Sequence, residues 1–88
     1  MTTQPVIFSR HARQRMRLYG VTVDQVGAAL AKPDEGPALE GSRQVVLKVF
    51  AGSFDGLPLK VVYVMEDARA LIISAYPLKR RYKRTREG

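Results

Sequence analysis

An α+β fold is the expectation, and three features of the chain carry it. Two short segments near the start have helical apolar spacing and good N-terminal caps. Three later segments are rich in Val, Ile, Leu, Tyr and Phe and are separated by short turn-forming linkers. The chain has 88 residues, enough for one domain with a thin core. The predicted architecture is two N-terminal helices packed on a small antiparallel sheet of three to four strands. Residues 1–78 form the domain, and residues 79–88 form a basic C-terminal tail.

Val6-Ile7-Phe8 reads as a short first strand, and Ser9 offers a helix N-cap hydroxyl. From Arg10 to Tyr19, the residues Ala12, Met16 and Tyr19 fall on one helical face, with His11, Arg15 and Leu18 on a neighbouring stripe. Gly20 is placed to end this helix. Thr22-Val23-Asp24-Gln25 matches a capping box. The second helix is expected to stop near Ala31, because Pro33 disfavours helical geometry at Lys32. Asp34 to Ser42, punctuated by Gly36, Pro37 and Gly41, reads as a loop.

The strand candidates are Gln44–Ala51, Leu57–Met65 and Ala70–Tyr76. Their linkers are short enough for hairpins, which predicts an antiparallel meander. The strands are apolar on both faces, so the second face calls for cover or a partner.

Composition narrows the function. Formal charge is +7, from 15 Lys and Arg against 8 Asp and Glu. The last ten residues hold six bases against one acid, and Arg10, Arg13, Arg15 and Arg17 cluster before the first acidic residue, Asp24. Two basic clusters of this kind attract polyanions. There is no cysteine, which excludes disulfides and cysteine metal sites. The opening residues lack the pattern of a signal peptide, and stretches such as Val61–Met65 are strand-sized. A cytoplasmic protein with no membrane partner is expected. No metal-ligand spacing, glycine-rich phosphate loop or nucleophile elbow appears, so no metal or cofactor is expected.

His11 is the single histidine. It sits in the first helical turn beside Arg15 at i+4, where the helix N-terminus and the arginines favour an anion. An imidazole there could accept a 2′-hydroxyl proton while Arg15 stabilises charge on phosphorus. The same residues also read as a packing histidine on a solvated arginine face.

Lys48, Lys60, Ser74 and Tyr76 occupy even positions, so within each strand they share a face. A three-residue loop at Asp67–Arg69 would set Lys60 opposite Tyr76 and Val62 opposite Ser74. A four-residue loop would break that parity. The lysines equally mark solvent-exposed strand positions, and Tyr76 equally packs at a strand end. In the tail, Lys79, Arg80, Arg81, Lys83 and Arg84 would contact phosphates, with Tyr82 available to stack on a base. A solubilising run would look the same. With Arg10 and Arg13, these residues make the expected RNA-binding set.

The run Phe8-Ser9-Arg10-His11-Ala12-Arg13-Gln14-Arg15-Met16, followed by Gly20-Val21-Thr22 and Val26 to Leu30, resembles the opening of domain-of-unknown-function family 4258. Val61-Val62-Tyr63-Val64 and Ile72-Ile73-Ser74-Ala75-Tyr76-Pro77 resemble its closing hairpin. Ile72-Ile73-Ser74-Ala75 running into a basic tail is also similar to the BrnT toxins. Both groups are placed with RelE, barnase and colicin D-like folds, which include metal-independent ribonucleases and the toxin halves of toxin–antitoxin pairs.

The resemblance implies a RelE-like layout with His11 and Arg15 as site residues. Tyr76, Lys60 or a tail residue would then protonate the leaving 5′-oxygen. The implied function is an RNA-binding, metal-independent endoribonuclease toxin acting on tRNA, mRNA or the ribosome, with an acidic antitoxin as partner. The alternatives are a non-catalytic RNA- or ribosome-binding module, or an interaction domain that docks an acidic protein.

Overall fold

A computed structural model describes residues 6–78. β1 (Val6–Phe8) leads into α1 (Arg10–Tyr19) and α2 (Val23–Ala31). Four strands follow: β2 (Glu35–Glu40), β3 (Arg43–Lys48), β4 (Leu59–Glu66) and β5 (Arg69–Pro77). Both helices begin where local chemistry starts them. Ser9 Oγ accepts the Ala12 N–H, and the Thr22 and Gln25 side chains satisfy each other's backbone N–H groups. Gly20, left-handed at φ 71°, ends α1.

The class is α+β, but the sheet differs from the expectation of three to four antiparallel strands. It has five strands in the order β1-β5-β4-β3-β2, and β1 runs parallel to β5. Two elements account for the difference. The segment expected to be a loop, Asp34–Ser42, contains β2, which pairs with β3 across an irregularity between Glu35 and Ala38. Gly36 makes that pairing sterically feasible: a Cβ there would lie 2.5 Å from the Val45 carbonyl oxygen. Pro37 is tolerated because β2 is an edge strand, where a missing N–H breaks no ladder bond. The second element is β1, whose partner is 64 residues away at Ala70–Ile72. Two-residue turns at Gly41-Ser42 and Asp67-Ala68 and a ten-residue connection at 49–58 organise the meander β2–β5, and they carry no information about where an isolated first strand will dock.

The helices cover one face of the sheet. Ala12, Met16, Val26 and Ala29 pack there with Val46, Leu59, Val61, Tyr63, Ile72 and Ala75. Burial in this layer raises the Tyr63 phenol above the usual tyrosine value. On the opposite face Val45 and Val62 are also buried, although they lie outside that core cluster.

The β4–β5 hairpin sets which residues reach that second face. Its turn is Asp67-Ala68, both at positive φ, and it pairs Glu66 with Arg69, Met65 with Ala70 and Tyr63 with Ile72. Ile73 is then an extra residue, and beyond it Val62 pairs with Ser74 and Lys60 with Tyr76. The register anticipated from a three-residue loop therefore holds in this half of the hairpin, but a two-residue turn plus a bulge produces it. Before the bulge the even positions Ala70 and Ile72 face the helices. After it, Ser74 and Tyr76 face away from them.

Ser9 holds the bulge in place. Its N–H donates to the Ile72 carbonyl at 3.1 Å, and its hydroxyl donates to the Ile73 carbonyl at 3.3 Å. Ser9→Ala removes this hydroxyl bond and the helix cap together, and the expected loss is about 1–2 kcal/mol. Urea unfolding measures it, and Ser9→Asp, which keeps the cap acceptor but cannot donate to Ile73, should recover only part.

Candidate nucleic-acid interface

Tyr76 is the centre of the arrangement. Beyond Ile72, β1 no longer flanks β5, and α1 begins at this open edge. Arg15 lies on the half-buried flank of α1, with its guanidinium carbon 4.4 Å from the Tyr76 ring centroid and 5.9 Å from that of Tyr19. Lys60, the cross-strand partner of Tyr76, approaches the same ring to 5.9 Å. That is the outer limit of a cation–π contact. Two cations of different geometry thus flank one aromatic ring. The guanidinium stacked on the ring keeps its edge donors available for an in-plane acceptor.

Two further polar atoms belong to this neighbourhood. Ser74 is 7% exposed, two residues from Tyr76 on the same strand face. Its Oγ and the Nε of Arg15 are buried and have no hydrogen-bond partner among the described residues. A buried donor without a partner carries a desolvation cost of roughly 1–3 kcal/mol. Both atoms are shut off from solvent, so an anion with several acceptor oxygens would relieve the cost at both only after a local side-chain shift opens them.

The other residues singled out in the sequence fall elsewhere. Lys48 pairs with Leu59 and so belongs to the helix-covered face, opposite to Lys60. Its ammonium donates to the Lys32 carbonyl at 2.9 Å, at the C-terminus of α2, and lies 3.9 Å from the Asp34 carboxylate. Lys48 is therefore a C-terminal clasp for α2. Arg10, His11 and Arg13 are exposed on α1, with His11 one turn before Arg15. Lys79, Arg80, Arg81, Tyr82, Lys83 and Arg84 lie outside the described residues.

Glu40 is a site residue that sequence reasoning missed. Its Oε2 lies 3.5 Å from the Lys60 ammonium. Both residues line a cavity of about 250 Å³ on the face away from the helices, with Ala38, Val45, Leu47 and Leu78 as apolar walls. Glu40 sits in the segment read as a loop, so no alternation pattern pointed to it. Among the described residues no group of three His, Cys, Asp or Glu could hold a metal ion. No helix among them is long and apolar enough to cross a membrane.

Ser74 offers a direct check on the unpartnered donors. Ser74→Ala deletes a buried hydroxyl that has no partner, so stability should hold or rise by about 1 kcal/mol. Affinity for a phosphate ligand should fall in the same variant. Urea unfolding and phosphate titration measure the two, and a loss of stability would show that the hydroxyl is already satisfied.

No curated protein and no solved structure matches the chain. A family model does match, described as "Domain of unknown function (DUF4258)", over residues 8–77. That span runs from the end of β1 to the end of β5 and takes in Arg15, Lys60, Ser74 and Tyr76. The chain belongs to the DUF4258 family.

Proposed function

We propose that this protein binds RNA through the Arg15–Tyr76–Lys60–Ser74 cluster and cleaves it without a metal. The observation that carries the reading is the pair of cations on one aromatic ring beside two buried, unpartnered donors. The cations and donors suit a phosphodiester, and the ring suits a base stacked beside it. The net charge of +7, concentrated in the α1 arginines and residues 79–86, supports a polyanionic ligand.

In the catalytic form of this reading, His11 takes the proton of a ribose 2′-hydroxyl as that oxygen attacks phosphorus. The 2′-O–P bond forms and the P–O5′ bond breaks. Arg15 and Lys60 stabilise the charge on the non-bridging oxygens, and the Tyr76 phenol protonates the departing 5′-oxygen. The products are a 2′,3′-cyclic phosphate and a 5′-hydroxyl.

The resemblance of Ile72-Ile73-Ser74-Ala75 and the basic run after it to the BrnT toxins is what supports a toxin role, with an acidic antitoxin covering the cluster. One observation favours a plainer alternative, an RNA-binding module without chemistry. His11 is exposed, and no hydrogen bond among the described residues orients it.

The test uses the full chain, single-stranded RNA and EDTA. Binding should weaken steeply with salt, and Arg15→Met and Lys60→Met should each flatten the slope of log K against log salt by about 0.7. Cyclic-phosphate ends that disappear in His11→Ala would establish cleavage. Intact RNA with salt-sensitive binding leaves the binding module standing. Slopes unchanged in both cation variants would overturn the cluster as the RNA site.

A further inference from the structure

The cavity beside the cluster has a different chemical character. Its polar side chains are the carboxylates of Glu35 and Glu40 and the ammonium of Lys60, set against the apolar walls of Ala38, Val45, Leu47 and Leu78. A phosphate is disfavoured in such a space, since the Lys60 ammonium there is already engaged by the Glu40 carboxylate. A flat, neutral, apolar ligand that carries N–H donors on one edge is favoured. The volume of about 250 Å³ is below the roughly 300–1,000 Å³ of sites for drug-sized ligands, which limits the occupant to something near one ring system.

Lys60 belongs to both places. Its ammonium contacts Glu40 in the cavity and approaches the Tyr76 ring in the cation cluster. A nucleotide whose phosphate rests on Arg15 and Lys60 therefore has its own base within reach of the cavity. Unstacked bases of single-stranded RNA are commonly read by hydrogen bonds to their Watson–Crick edge.

We propose that this cavity is a nucleobase pocket and that Glu40 selects guanine. The inference rests on the RNA-binding reading and adds the identity of the base. Guanine presents two parallel N–H donors, N1–H and the 2-amino group, which match the two oxygens of one carboxylate. Adenine and cytosine set a ring-nitrogen acceptor beside their amino group, so one carboxylate oxygen would face a lone pair. Uracil sets its single N–H between two carbonyls. Lys60, 3.5 Å from Oε2, biases the exposed Glu40 carboxylate toward the cavity. Glu40 is a specificity residue here and takes no part in bond breaking.

The experiment titrates the full chain with guanosine, inosine, adenosine and uridine 3′-monophosphates, with inorganic phosphate as a reference, by calorimetry or amide chemical shifts. Guanosine monophosphate should bind most tightly. Inosine monophosphate, which lacks the 2-amino group, and adenosine monophosphate should each be weaker by roughly tenfold. Glu40→Gln should abolish this ranking and raise the affinity for inorganic phosphate, because Lys60 loses its carboxylate partner. Ala38→Leu, which fills the cavity from an exposed edge strand, should abolish the ranking by a separate route.

Equal affinity for all four nucleotides in the unaltered chain, with phosphate still bound, overturns the base pocket and leaves the phosphate cluster intact. A guanine preference that survives both substitutions overturns the assignment to this cavity. Failure to bind either phosphate or any nucleotide overturns the pocket and the RNA-binding reading together.

Discussion

Side chains on a strand alternate between faces, so any position is committed to one side of the sheet unless the alternation is broken. In this protein it is broken once in β5, at Ile73. Upstream, Ala70 and Ile72 fill the layer beneath the helices; downstream, Ser74 and Tyr76 look out on the other side beside Lys60. The same irregularity presents the Ile72 and Ile73 carbonyls to Ser9, so the start of α1 is locked to the point where the strand changes face. Arg15, less than two helical turns further on, then meets Tyr76. Helix position is thus tied to one inserted residue, and the bulge that absorbs it keeps Ser74 and Tyr76 opposite Val62 and Lys60.

The second face combines two environments that would be poorly matched if merged. Around Tyr76 the side chains are cationic and two donors are buried without partners among the described residues; across Lys60 the cavity is apolar and edged by carboxylates. Lys60 separates them, with its stem across the sheet and its ammonium between Glu40 and the ring. The unpartnered donors are a local cost that the opposite layer has to offset. That layer is correspondingly dense, with Ala12, Val26, Ala29, Leu59, Val61 and Ile72 fully buried. The densest core lies on one side of the sheet, and the Lys60, Ser74 and Tyr76 side chains lie on the other.

Both helices were legible residue by residue, because Ser9, Gly20 and the Thr22–Gln25 box are local signals and the structure uses each of them. The three long strands were legible too, within one to three residues at their ends. β2 was not, because Gly36 and Pro37 are loop signals everywhere except at a bulged sheet edge. The parallel docking of β1 was hidden for a different reason: it depends on a contact with residues near the far end of the chain. For the site, Arg15, Lys60, Ser74 and Tyr76 were named from spacing, but their convergence rests on the bulge, which has no sequence signature. Lys48 was grouped with them by parity, and the register of β3 on β4 puts it on the other face. Glu40 was invisible because it meets Lys60 only across two strand pairings.

Insertions and deletions in β-strands are usually weighed by how much pairing they disrupt. The bulge makes a different outcome available. A chain one residue shorter between Leu71 and Ser74 would pair its remaining isoleucine with Tyr63, the serine with Val62 and the tyrosine with Lys60 without interruption, so the serine and tyrosine would still face away from the helices. What it would lose is the extra carbonyl of the bulge, to which the Ser9 hydroxyl donates, and with it one tie between the start of α1 and the strand that carries Tyr76. Strand length at that one position therefore bears on how α1 is anchored, and so on the approach of Arg15 to Tyr76, rather than on which way the strand's side chains face.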